Sequence, residues 1–209
     1  MNVMNSDVIR LIIFDLGNVV FEVDHQKIFR YWARVTSLPE EFFADHHVPD
    51  TISHQFERGE LTPEEFHRVL ITSKDIDLSF EEFSEGWNAI YGEVYPEAQN
   101  ALQKLFDKVF LVALTNTNEL HYKVWMHKYA KTLNYFDRLF ISSQLGFRKP
   151  EARAFKYVLE ECKVKPQETL FFDDVLENIT KANDLEIHAV QVSKPSDITS
   201  ELQQRGLII

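Results

Sequence analysis

Five short runs rich in Val, Ile, Leu and Phe constrain this chain more than any other feature: Ile9 to Phe14, Val109 to Leu114, Leu139 to Ser142, Thr169 to Phe172 and Ile187 to Val192. Each has strand length and is almost continuously apolar. Alternating strands expose one face to water, whereas strands buried on both faces of a parallel sheet show no alternation. The last four runs lie about 30 residues apart or fewer, the spacing of βαβ units. Helices are expected near Pro150 to Lys163 and Leu176 to Leu185. The predicted architecture is therefore an α/β doubly wound, Rossmann-like parallel sheet.

The first interval breaks this rhythm, because about 95 residues separate the first run from the second, far more than one crossover helix needs. Residues 20–95 read as an inserted helical domain, and residues 1–19 with 96–209 as the α/β core. Within the insert, Thr62-Pro63-Glu64-Glu65 and Ser79-Phe80-Glu81-Glu82 have the form of capping boxes, with Pro63 at a first helical position. Phe42, Phe43, Phe56, Phe66, Phe80, Phe83 and Trp87 supply the apolar surface of a small helical bundle. A further helix starting at Pro96 returns the chain to the sheet.

Charge narrows the choice of partner. Lys and Arg number 22 against 33 Asp and Glu, a formal charge of -11, which repels a polyanion in the absence of any basic cluster. Nucleic acid is not an expected partner. No apolar stretch approaches the ~20 residues of a membrane span, and Asp7 and Arg10 interrupt the opening segment where a signal peptide needs an unbroken apolar run. No membrane association and a cytoplasmic location are expected, and nothing in the sequence assigns an oligomeric state. The single cysteine, Cys162, cannot form an internal disulfide and reads as structural.

In a doubly wound sheet ligands bind beyond the carboxyl ends of the strands. The runs here lead into Asp15, into Thr115-Asn116, through a short segment into Arg148-Lys149-Pro150, and into Asp173-Asp174. Taken singly, each is an ordinary turn or helix-cap residue. Together they bring three carboxylates to one edge, more negative charge than one lysine offsets. A divalent cation would resolve the repulsion, and oxygen-only ligands describe magnesium better than zinc. The histidines offer no i, i+4 zinc pair, and His46 and His47 are adjacent. Neither a Walker loop, a G-x-G-x-x-G fingerprint nor a G-x-S-x-G elbow is present.

These strand ends resemble the four motifs of the haloacid dehalogenase (HAD) superfamily, in order. Phe14-Asp15-Leu16-Gly17-Asn18-Val19 is similar to the first, Leu114-Thr115-Asn116-Thr117 to the second, Arg148-Lys149-Pro150 to the third and Phe171 to Asn178 to the fourth. The insert falls where that family carries a helical cap. Phe56 to Thr62 and the Gly86-Trp87 pair resemble a bacterial subgroup acting on small phosphorylated metabolites such as glucose-1-phosphate. Glu57, Arg58 and Trp87 also read as cap packing and a helix end.

The resemblance implies a magnesium-dependent phosphatase acting on a small-molecule phosphate ester. Asp15 would be the nucleophile that becomes an aspartyl-phosphate, and it would bind Mg2+ together with the Gly17 backbone carbonyl and Asp174. Thr115, Asn116 and Lys149 would hold the phosphoryl group, with Lys149 also pairing with Asp15. Asp173 and Asn178 would support the metal loop from behind. One departure matters: most superfamily phosphatases carry an aspartate as general acid and base where this chain has Gly17. Asp24 is the nearest candidate substitute, and His25 is adjacent to it. The departure keeps two alternatives open, a metal-independent 2-haloacid dehalogenase and a catalytically weak module that binds phosphate ligands or protein.

Overall fold

The computed structural model describes residues 8–45 and 50–209, leaving out the side chain of Asp45. The opening segment with Asp7, and the His46-His47 pair, lie outside the described residues. In chain order the elements are β1 Leu11–Phe14, β2 Phe21–Val23, α1 Gln26–Thr36, α2 Glu40–Asp45, α3 Asp50–Glu57, α4 Pro63–Lys74, α5 Phe80–Asn88, β3 Tyr91–Val94, α6 Pro96–Leu105 and β4 Phe110–Thr115. They continue with α7 Glu119–Lys128, α8 Ala130–Leu133, β5 Arg138–Ile141, α9 Ser142–Leu145, α10 Ala152–Cys162, β6 Thr169–Asp173, α11 Leu176–Asp184, β7 His188–Gln191 and α12 Ser196–Gln204.

The five apolar runs form one parallel sheet in the order β5-β4-β1-β6-β7. Burial on both faces explains their unbroken apolar character. Ile12 and Phe14 of β1 face a core with Leu102 of α6, Trp125 of α7 and Leu202 of α12. Leu11 and Ile13 face the opposite core, with Phe155 of α10 and Ile179 of α11. Helices thus cover both faces, as the doubly wound expectation requires. The chain leaves β1 toward β4 on one side and reaches β6 on the other, so the carboxyl end of β1 is a topological switch point with an open crevice.

Helices α1 to α5 carry a separate apolar cluster, including Ile28, Trp32, Phe43, Phe56, Phe66, Leu70 and Phe83. Both capping boxes form: Thr62 and Glu65 exchange hydrogen bonds at the start of α4, and Ser79 and Glu82 do so at α5. The sequence reading assigned this insert only helices, but β2 and β3 pair as a small antiparallel sheet at its root. Three-residue and four-residue strands are too short for periodicity to reveal. The pair matters because it carries the chain from Asp15 straight up into the helices. Among the described residues no helix is long and apolar enough to cross a membrane.

Candidate active site

Asp15 is the first residue past β1, and its N–H donates to the Phe172 carbonyl of β6 at 2.8 Å. Its Oδ1 accepts the Leu16 N–H at 2.7 Å and lies 3.0 Å from Lys149 Nζ. Both fixed contacts use one oxygen, which leaves Oδ2 for other work. Lys149 is completely buried and also donates to Asp173 Oδ2 at 2.6 Å. The other Asp173 oxygen accepts the Val175 N–H at 2.8 Å and the Asn178 amide at 2.9 Å. Asp173 is thus fully engaged in holding Lys149 and the loop entering α11.

Lys149 is itself held by Asn116, whose side chain donates to the Lys149 carbonyl and accepts its N–H, both at 2.9 Å. Thr115 is buried at the end of β4 and lines the cleft beside Asn116. Ser142 braces the next residue, accepting the Thr117 N–H at 2.9 Å and donating to its carbonyl at 3.0 Å. The structure therefore brings Asp15, Gly17, Thr115, Asn116, Lys149, Asp173, Asp174 and Asn178 to one sheet edge.

Two contributors were missed in the sequence. Asn18 adopts a left-handed conformation at φ 54°, which asparagine tolerates better than most residues. Its side chain accepts the Val23 N–H at 3.0 Å and hydrogen-bonds the Asp174 carboxylate. Its fifth place in the first motif was the available signal. Ser142 gave none, since it meets Thr117 only through the β4-β5 pairing.

Asp15, Asp173 and Asp174 each place a carboxylate oxygen within 4.8 Å of the others. Burial, opposed by Lys149 and reinforced by Asp173 and Asp174, pushes Asp15 up to about 7. Burial and Asp173 also raise Asp174. For Lys149 burial acts downward, but Asp15 and Asp173 outweigh it and hold the ammonium above its ordinary range. Three carboxylates against one ammonium leave an excess of negative charge, and the donors are all hard oxygens. This set fits magnesium, with Asp15 and Asp174 as its carboxylates, since Asp173 is committed to Lys149 and the loop.

The cleft has a volume of about 620 Å³ and continues from these residues under the helical insert, lined there by Trp32, Phe56, Glu57 and Trp87 among others. Glu57 ends α3, but its role goes beyond packing within the insert. It accepts from Arg148 Nε at 2.6 Å, while Arg58 Nη1 donates to Glu151 at 3.0 Å. Two crossed ion pairs therefore join α3 to the segment that carries Lys149. Trp87 forms the opposite attachment: its carbonyl bonds His121 Nε2 at 2.9 Å, and its ring stacks on that imidazole at 5.1 Å. Burial lowers His121 to about 3, so it serves as a neutral hydrogen-bonding strut.

Asp24 takes the ordinary reading. It pairs with Arg30 at 2.7 Å and accepts the Gln26 N–H at 3.0 Å. Burial pushes the Cys162 thiol up to about 11, consistent with a structural cysteine.

Gly59 yields a direct prediction. Its φ is +70°, and a Cβ there would stand 2.2 Å from the Ser143 backbone oxygen of α9. Gly59→Ala forces left-handed strain and parts the insert from α9, so a loss of about 1–3 kcal/mol in urea unfolding is expected.

This geometry describes a doubly wound α/β protein with three carboxylates and a buried lysine gathered at a sheet switch point. A family model for haloacid dehalogenase-like hydrolases matches residues 9–184, and the chain belongs to that family. A D-ribitol-5-phosphate phosphatase of Bacteroides thetaiotaomicron is 28% identical, over 93% of this chain and 97% of its own. A HAD family enzyme of the same bacterium, solved with magnesium and inorganic phosphate, superposes with a TM-score of 0.74 at 28% identity, covering 88% of this chain and 93% of that one. A protein of Porphyromonas gingivalis described as a predicted HAD-like family hydrolase shares the fold, with a TM-score of 0.79 at 24% identity over 94% of this chain and 98% of that one.

Proposed function

We propose that the chain is a magnesium-dependent phosphatase that hydrolyses a small phosphomonoester through an aspartyl-phosphate on Asp15. The observation that carries this reading is the three-carboxylate cluster closed around the buried Lys149. A metal-independent carbon–halogen hydrolase has no use for that much like charge. The substrate class is a sugar or polyol phosphate, supported by the relative that acts on D-ribitol-5-phosphate and by a cleft of about 620 Å³.

Each residue then has a defined task. Asp15 Oδ1 is pinned by Leu16 N–H and Lys149, which leaves Oδ2 to attack phosphorus. Lys149 offsets charge on Asp15 and on the incoming phosphoryl oxygens. Thr115 and the backbone at Asn116 receive those oxygens, and the Asn116 side chain keeps Lys149 in register. Asp15, Asp174 and the Gly17 carbonyl would hold magnesium, with Asp173 and Asn178 steadying the loop behind them. When bound, the cation supplies the positive charge that keeps Asp15 ionised and neutralises the developing phosphoryl charge. The helical insert, residues 20–95, acts as the cap, excluding water and contacting the alcohol portion.

The test is phosphate release from a panel of sugar, polyol and other small phosphomonoesters, with magnesium and with excess chelator. Release is expected for at least one member, falling to background on chelation and returning with added magnesium. Chelator-insensitive release, or none across the panel, would overturn the assignment.

A further inference from the structure

Gly17 leaves the reaction without a side chain for proton transfer two positions after Asp15, and the space is not simply vacant. A Cβ on Gly17 would stand 3.3 Å from Val23 Cγ2, so β2 folds back over this position. The same strand continues through Asp24, occupied by Arg30 and the α1 backbone, to His25. His25 lines the cleft together with Asp15, Gly17, Asn18, Glu57 and Asp174. It stands at the N-cap of α1 but its side chain makes no capping bond. An imidazole that lines the cleft and is spared from helix capping is available to substrate.

We propose that His25 is the general acid and base of this enzyme, standing in for the side chain that Gly17 lacks. This rests on the phosphatase reading and deepens it. In the first step an Asp15 carboxylate oxygen forms a bond to phosphorus and the ester P–O bond breaks. The bonding pair leaves with the alcohol oxygen, which takes a proton from the His25 imidazolium. In the second step water attacks the aspartyl-phosphate phosphorus and gives its proton to the neutral imidazole. The P–O bond to Asp15 breaks, its electron pair returns to the carboxylate, and inorganic phosphate leaves with His25 protonated again.

The charged and titratable groups around the ring come from four directions: Asp24 beside it, Glu57 on α3, Asp174 after β6 and His121 on α7. Burial lowers the imidazole below its ordinary value, while the three carboxylates act in the opposite sense. A lowered value makes the imidazolium a stronger acid for the first step, which draws on the protonated fraction of the ring near pH 7.

The leaving group provides the test. His25→Gln is compared with wild type on the best primary-alcohol phosphate from the panel and on 4-nitrophenyl phosphate, whose phenolate departs without protonation. The expected result is a loss in kcat/KM of about 10²-fold or more for the alkyl ester, against less than about 3-fold for the aryl ester. The phosphorylated fraction of the variant should also rise during aryl ester turnover. His25→Ala with added imidazole gives a second readout, in which alkyl ester hydrolysis recovers. Equal losses on both esters, or no loss on either, overturn the role of His25 while leaving an active phosphatase. A wild type inert on both esters overturns the phosphatase reading and this assignment together.

Discussion

Asp15→Asn is expected to reduce kcat by on the order of 10⁴-fold or more, because the amide cannot accept the phosphoryl group in a productive step. The variant should nevertheless fold at least as well as the wild type in the absence of metal. Asp15 sits among Asp173 and Asp174, and burial with their charge raises it from 3.8 to about 7. A carboxyl group whose value is higher in the folded state contributes stability below about pH 4, and loses it as the pH rises through about 7. Asparagine removes that dependence, so the metal-free variant should gain on the wild type between those limits. The same proton competes with magnesium. Magnesium should raise the wild-type Tm above pH 7, progressively less as the pH falls through about 7, and far less in Asp15→Asn. Thermal scans across this range check all three expectations, and a wild-type level of turnover in the variant would remove Asp15 from the mechanism.

Lys149→Met is expected to abolish turnover and also to destabilise the fold by about 3–5 kcal/mol, the usual cost of removing one partner from a buried ion pair. Lys149 has no exposed surface, and its ammonium touches Asp15 at 3.0 Å and Asp173 at 2.6 Å. Methionine fills much of the volume but leaves those carboxylates facing each other in a protein interior. The loss should therefore shrink at acidic pH, where a proton can replace the lysine. Lys149→Met combined with Asp173→Asn should recover much of the stability and none of the activity. Urea unfolding at two pH values separates these contributions. A single variant as stable as the wild type at pH 8 would mean that the triad is far better hydrated than its burial indicates.

The contrast between these variants follows how the site was legible. Asp15, Thr115-Asn116, Lys149 and Asp173-Asp174 each follow an apolar run or the short loop beyond one, so a chain read without coordinates already brings them to one edge. Their division of labour was not readable. Asp173 and Asp174 are adjacent, yet the first is consumed by Lys149, Val175 and Asn178 while the second meets Asn18. Asp24 and His25 are also adjacent, and the sequence favoured the first as a proton donor. The structure occupies Asp24 with Arg30, and the proposed role therefore falls on His25.

Local pattern determined the parallel sheet, the helical insert, the capped starts of α4 and α5 and the strand ends where polar residues gather. These follow from periodicity and from bonds between residues three or four apart, which a linear chain already contains. Only tertiary structure decided the crossing of Glu57 with Arg148 and Arg58 with Glu151, the seating of Trp87 on His121, the β2-β3 pair and the folding of Val23 over Gly17. Each joins residues whose separation along the chain carries no periodic signal. Whether such groups meet is set by how the insert packs on the sheet, and that same packing decides which titratable side chains remain free to do chemistry.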